Sequence, residues 1–172
     1  MAPDLQAIFT NPKTVPVAPT WVAREGAFHG KWLTLIAPLD IAGVTQQGLQ
    51  LRLTAVKSMP DCQVTGQIEC HLPRGKGGPL ARVDWRPLHS HNNHGAGPAE
   101  WRFKIMSGSH HHAFALNWAH SEAQVKQGKL PIAVPLAPDP ADFQMLLEFL
   151  EKQFNINSLA SIPIPPWEAE LV

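Results

Sequence analysis

Apolar and polar residues alternate through the middle of the chain, and the alternation predicts strands. Leu49, Leu51, Leu53 and Ala55 share one face, with Gln50, Arg52 and Thr54 on the other. Cys62–Leu72 repeats the pattern: Cys62, Val64, Ile68, Cys70 and Leu72 face in, and Gln63, Thr65, Gln67, Glu69 and His71 face out. Lys31–Ala37 is an apolar run closed by Pro38, and Leu80–Leu88 reads as a further strand. Glu100–Met106 sets Trp101, Phe103 and Ile105 against Arg102, Lys104 and Met106. After the turn Ser107-Gly108-Ser109, His110–Trp118 is expected to return as its hairpin partner. Leu130–Leu136 is the last predicted strand.

The period changes near the C-terminus. Phe143, Leu146, Leu147, Leu150 and Phe154 recur at helical spacing, so Ala141–Phe154 is expected to be a helix. Asp139 is its expected N-cap, and Pro140 its first residue, where the missing N–H costs nothing. Two smaller helical signals are Asp4 capping one turn through Leu5, Ile8 and Phe9, and Ser121 with Gln124 as a capping box stopped by Gly128. Pro12, Pro16 and Pro19 force an extended connector.

These elements predict an α+β fold: a mainly antiparallel β-sheet of about six to seven strands with a C-terminal helix packed on one face. The expected organisation is a single domain over 1–172. It has an extended N-terminal segment at 1–25, the helix at 139–155 and an extended tail at 160–172, anchored by Trp167.

Composition narrows the function classes. Lys+Arg and Asp+Glu are both 14, for a net charge of +0, which argues against a binder driven by bulk charge to nucleic acid or a membrane surface. Only 16% of residues are charged, which leaves surface for a partner. No stretch is long and apolar enough to span a bilayer, no secretory signal is evident at the N-terminus, and the cytoplasm is the expected location. From Cys62 to Cys70 a strand spans roughly 26 Å, beyond disulfide reach, so both cysteines read as small hydrophobes.

The chemistry concentrates in one window. Seven of the nine histidines lie between His89 and His120. Neutral imidazole binds metal, and its ordinary pKa lies near physiological pH. One reading is a divalent transition metal such as zinc, with ligands drawn from His89, His91, His94, His110, His112 and Asp84. The spacing matches neither paired CxxC nor helical HExxH. A second reading is a small phosphodiesterase or ribonuclease working by histidine acid–base chemistry. There His91 and His111 are the acid–base pair, Arg86, Arg102 and Lys104 stabilise developing charge, and Trp85 or Trp118 stacks a base. The alternative is a non-catalytic interaction module or a subunit of a multi-protein assembly, with or without a histidine-bound metal. A protein partner, RNA or a second copy of the chain are the expected partner classes, and a membrane is not.

On the expected strand His110–Trp118, His110 and His112 share the core side, while His111 and Asn117 are its exposed polar members. Loop 89–97 and this strand are the expected functional surface. His29, the loop PRGKGGP from Pro73 to Pro79 and the pair Glu69–His71 read as structural or solvated features.

Overall fold

A computed structural model describes residues 4–25, 31–72 and 76–168. His29, Arg74 and the last residues of the tail, 169–172, lie outside them.

The four long strands form where the alternation is clearest. After helix α1 (Leu5–Thr10) come β1 (Lys13–Thr14), β2 (Val22–Glu25), β3 (Lys31–Ile41), β4 (Val44–Val56), β5 (Val64–Leu72) and β6 (Lys76–Trp85). The short strands β7 (His91–Asn92), β8 (Ile105–Met106) and β9 (His110–His112) precede helices α2 (Phe114–His120) and α3 (Glu122–Val125). The chain closes through β10 (Val134–Pro135), helix α4 (Phe143–Phe154), β11 (Ile156–Asn157) and a 3₁₀ turn at Leu159–Ser161.

Nine strands form one sheet in the order β10-β9-β6-β5-β4-β3-β1-β11, with β2 beside β3. Every pairing is antiparallel except β1 with β11. The architecture is therefore α+β, with a large antiparallel sheet and a C-terminal helix across it. Among the described residues no helix is long and apolar enough to cross a membrane.

Register fixes which residues share a face. Leu35, Leu53, Gly66, Val83 and His111 form one row across β3, β4, β5, β6 and β9. This face carries α4, whose Leu146, Leu147 and Leu150 are fully buried against Leu33, Leu51, Ile68 and their neighbours. Gly66 lets the helix come close, since a Cβ there would lie 2.8 Å from Leu150 Cδ1. Removing one such leucine costs about 2–5 kcal/mol.

The opposite face carries the polar rows. Thr34, Thr54, Thr65, Asp84 and His110 stand in line, and Ile36, Arg52, Gln67, Arg82 and His112 form the adjacent row. Buried Glu69 lies on this side, where its carboxylate meets Gln50, Gln67, Arg52 and His71.

Several predicted elements take other forms. The hairpin of Glu100–Met106 with His110–Trp118 is absent. β8 pairs with β7, and β9 inserts between β6 and β10. Residues 114–120 are helical because the segment holds Ala115, Leu116 and Ala119 and no β-branched residue. Phe114 and Trp118 then lie one turn apart and stack at 5.1 Å. The sheet has nine strands instead of six or seven because two-residue pairings at its margins leave almost no periodic trace.

Residues 4–25 are not simply extended: Asp4 does cap α1, accepting from the Gln6 and Ala7 amides, and β1 and β2 follow. Cys62 sits in the turn before β5. β6 ends at Trp85, where Arg86 takes φ 47°. Only Val134–Pro135 of the expected last strand is paired. Helix α4 begins two residues late, with Asp142 accepting from the Met145 amide as N-cap. Pro140 is held outside the helix because its carbonyl accepts from Trp85 Nε1 at 3.0 Å and Arg86 Nη2 at 3.1 Å.

Candidate metal centre

Strand alternation sends His110 and His112 to the polar face and His111 to the helix face. On β6 the same rule puts Arg82 and Asp84 beside them, since Arg82 pairs with His112 and Asp84 with His110. Asp84 Oδ2 lies 3.4 Å from His110 Nε2 and 3.5 Å from His112 Nε2. The three donor atoms fall within 4.8 Å of one another. Both histidines are almost wholly buried, at 2% and 0% exposure.

Backbone carbonyls settle the tautomers. His110 Nδ1 is 2.8 Å from Gly108 O, and His112 Nδ1 is 2.8 Å from Leu130 O. A carbonyl only accepts, so each Nδ1 carries a proton; His112 Nε2, which meets the Arg82 guanidinium, then holds that ring's lone pair, and His110 Nε2 faces Asp84. The Asp84 carboxylate and the His112 lone pair call for a cation between them. Arg82 supplies one here: its Nε donates to Asp84 Oδ2 at 2.8 Å and its Nη2 to His112 Nε2 at 2.7 Å. Thr65 Oγ1 donates to Asp84 Oδ1 at 2.8 Å.

These contacts set the charge states. Burial works to raise the Asp84 carboxyl, but the facing His110, His112, Arg82 and Thr65 outweigh it and hold the group well below the usual carboxylate range. Burial, with Arg82 adding to it, pushes His112 down to about 4. Near neutral pH the pair is thus carboxylate and neutral imidazole, the ligand forms of both side chains.

His91 belongs to the same cluster. Its ring lies 4.6 Å from that of His112 and 5.8 Å from that of His110. Its Nε2 donates to Pro131 O at 3.0 Å, which leaves Nδ1 as the lone-pair nitrogen. Burial lowers its pKa, with His110 and Arg82 contributing. A cleft of about 250 Å³ opens over the group, lined by Arg82, Asp84, His89, Ser90, His91 and His110 among others. No protein family, curated protein or solved structure matches the chain.

Two buried asparagines hold the wall that orients these rings. Asn93 Nδ2 donates to Ala133 O and to Trp101 O, and its Oδ1 accepts from the Ala133 amide. Asn117 Nδ2 donates to Ile132 O and to Ala113 O, and its Oδ1 accepts from the Ile132 amide. The segment they grip carries the Leu130 and Pro131 carbonyls that fix His112 and His91.

Of the residues expected as ligands, Asp84, His110 and His112 converge, with His91 packed against them. His89 is exposed at the cleft. His94 is exposed in a turn at φ 43° and is not among the converging donors. The expected acid–base pair is not brought together. His91 lies on the cleft side, whereas His111 faces α4, its ring 5.7 Å from Phe149. Its pKa is lowered by burial and by His110.

The expected cations are placed elsewhere. Arg86 stacks on Trp85 at 4.6 Å, donates to the Asp61, Pro140 and Ala141 carbonyls and pairs with Asp139. Arg102 and Lys104 do not share a strand face. Both are exposed, and Arg102 donates to Gly97 O in a turn. Trp85 is fully buried and presents no face to a base, and Trp118 is half-buried with one face stacked on Phe114. Asn117 is 1% exposed, a correction to its expected surface position, because α2 turns it inward.

Sequence reasoning missed Arg82, Thr65 and Asn93, and it put Asn117 on the surface instead of in the buried wall. Arg82 carried a signal, standing two residues before Asp84 on one strand face. Thr65 needed the β5–β6 register.

Proposed function

We propose that this protein is a mononuclear divalent-metal protein, with Asp84, His110 and His112 as ligands, and that the centre performs hydrolysis in the cleft above it. The observation that carries the reading is the convergence of two Nε2 atoms, on rings each fixed by an Nδ1–H to a carbonyl, on one carboxylate oxygen. In a tetrahedral shell with bonds of about 2.0–2.1 Å, neighbouring ligands lie about 3.3–3.4 Å apart. The two Asp84 separations, 3.4 and 3.5 Å, match that edge, and the three donor atoms all lie within 4.8 Å of one another. Three protein ligands would leave a further position for water or substrate, and two histidines with a carboxylate suit zinc and its first-row neighbours.

A bound ion supplies a Lewis acid and makes water a stronger acid. The chain's own residues supply the rest. Asp84 carries the one negative charge of the ligand set, the Gly108 and Leu130 carbonyls hold the ligand rings in place, and His91 Nδ1 is the candidate proton acceptor at the cleft wall.

Elemental analysis of untagged protein, purified without chelator or nickel resin, tests this reading. One equivalent of metal is expected, lost in Asp84→Asn. Cleavage of nitrophenyl carboxylate or phosphate esters should follow metal content. Protein that is metal-free and takes up none on titration would refute the reading.

A second reading, an interaction module, is favoured by Phe103, just before β8, and Ile105 on β8, which are 73% and 63% exposed. Phe103 is held at φ 61°, a strained conformation for an aromatic residue. If these residues pair two copies of the chain, sedimentation should show a concentration-dependent dimer that Phe103→Ser abolishes.

A further inference from the structure

Arg82 occupies the donors a metal would need. Its Nη2 is hydrogen-bonded to His112 Nε2 at 2.7 Å, and its Nε to Asp84 Oδ2 at 2.8 Å. An imidazole nitrogen has one lone pair, so His112 Nε2 cannot accept from Arg82 and bind an ion together. Metal binding must therefore release the guanidinium Nη2 from His112. The side chain is 35% exposed and lines the cleft, so the cleft is where it turns.

Charge then decides what the loaded cleft holds. Among the ten residues that line it, Asp84 is the one carboxylate and Arg82 the one guanidinium or ammonium. With a divalent ion and neutral imidazoles, one carboxylate is set against an ion and a guanidinium, and two positive charges remain unbalanced. The displaced Arg82 and the ion repel each other unless an anion sits between them. Guanidinium groups bind oxyanions through paired N–H donors, and a divalent ion binds the same oxygens. Ser90 and His89 add polar groups at the rim.

We propose that Arg82 is an exchangeable cation of this site: it holds Asp84 and His112 together before metal binds, and afterwards forms, with the ion, a subsite for the phosphoryl oxygens of a substrate. The inference rests on the metal-centre reading and names the substrate class for it, a phosphate ester.

Cobalt(II) titrations read by visible absorption test it, with and without inorganic phosphate, on wild type, Arg82→Gln and Arg82→Lys. Circular dichroism establishes that each variant is folded. Without phosphate, Arg82→Gln should bind cobalt at least as tightly as wild type, because the competing donor is gone. Phosphate should perturb the cobalt spectrum of wild type, bind Arg82→Gln about tenfold or more weakly, and bind Arg82→Lys at an intermediate level. Weaker cobalt binding by folded Arg82→Gln, or equal phosphate affinity in wild type and Arg82→Gln, overturns the inference and leaves the metal centre standing. Absence of cobalt uptake by wild type and Arg82→Gln alike overturns both.

Discussion

Arg82 and His112 are cross-strand partners on β6 and β9, and their side chains meet, guanidinium Nη2 to imidazole Nε2, at 2.7 Å. That contact closes a network running from Thr65 through Asp84 and Arg82 to His112, and from His112 to the Leu130 carbonyl. The strand register therefore places the ligands, the segment after α3 orients His112, and the Gly108 carbonyl orients His110.

The orienting role of that segment predicts the effect of loosening it. Asn117→Ala removes three hydrogen bonds from a buried site and leaves the Ile132 backbone unsatisfied. Each buried group left unpaired costs about 1–3 kcal/mol, so urea denaturation should show a loss of several kcal/mol. Zinc affinity should also fall, by about 10–100-fold, the usual effect of an outer-shell partner. Unchanged zinc affinity in folded Asn117→Ala would detach this wall from the centre.

His111 and His112 adjoin in sequence and should behave differently. His112→Ala should abolish zinc binding, because it removes a ligand. His111→Ala should retain it and lose only stability, since His111 packs beside Phe149 under α4. Parallel zinc titrations of the two variants check this, and equal losses would contradict the assignment of faces.

Lys13 makes a pH prediction far from the cleft. Its ammonium is fully buried and donates to the carbonyls of Ile8, Phe9 and Asn11, tying down the end of α1. Burial lowers its pKa from 10.5 to about 8. Between those values the unfolded chain binds more protons at this residue than the folded one, so its contribution to stability rises as pH increases from about 8 to 10.5. Denaturation midpoints across that range should show the rise, and Lys13→Met should flatten it.

The contact of Gly66 with Leu150 gives a packing test. A Cβ at Gly66 would lie 2.8 Å from Leu150 Cδ1 in a filled core, so Gly66→Ala should cost about 1–3 kcal/mol. Leu150→Ala should cost about 2–5 kcal/mol alone. The double variant should be more stable than the sum of the two losses predicts, because shortening Leu150 makes room for the new methyl group. Strict additivity would contradict the close approach.

Long, strictly periodic segments were legible from sequence. The core faces of β4 and β5 and the stripe of α4 follow from residue spacing, because burial on one face leaves a repeat of 2 or 3.6 residues. Phe114–His120 misled because Phe114, Leu116 and Trp118 also satisfy an alternating pattern, while the propensities of its alanines and leucine favour helix. The candidate site was legible as a histidine window and as the pair His110 and His112 on one strand face. Asp84 was named among the ligands, but Arg82 was not, since it joins the site through register, and the Gly108, Leu130 and Pro131 carbonyls act through backbone that carries no side-chain signature. The same limit separated His91 from His111: parity on β9 was readable, but which face met α4 was not.

The most direct test is a zinc titration of metal-free wild type against a competing chelator, with Asp84→Asn alongside. The account predicts one zinc per chain in wild type and a loss of at least about tenfold in affinity for the variant, whose carboxamide cannot supply the anionic ligand. No zinc uptake by folded wild type, or equal affinity in both proteins, would contradict it.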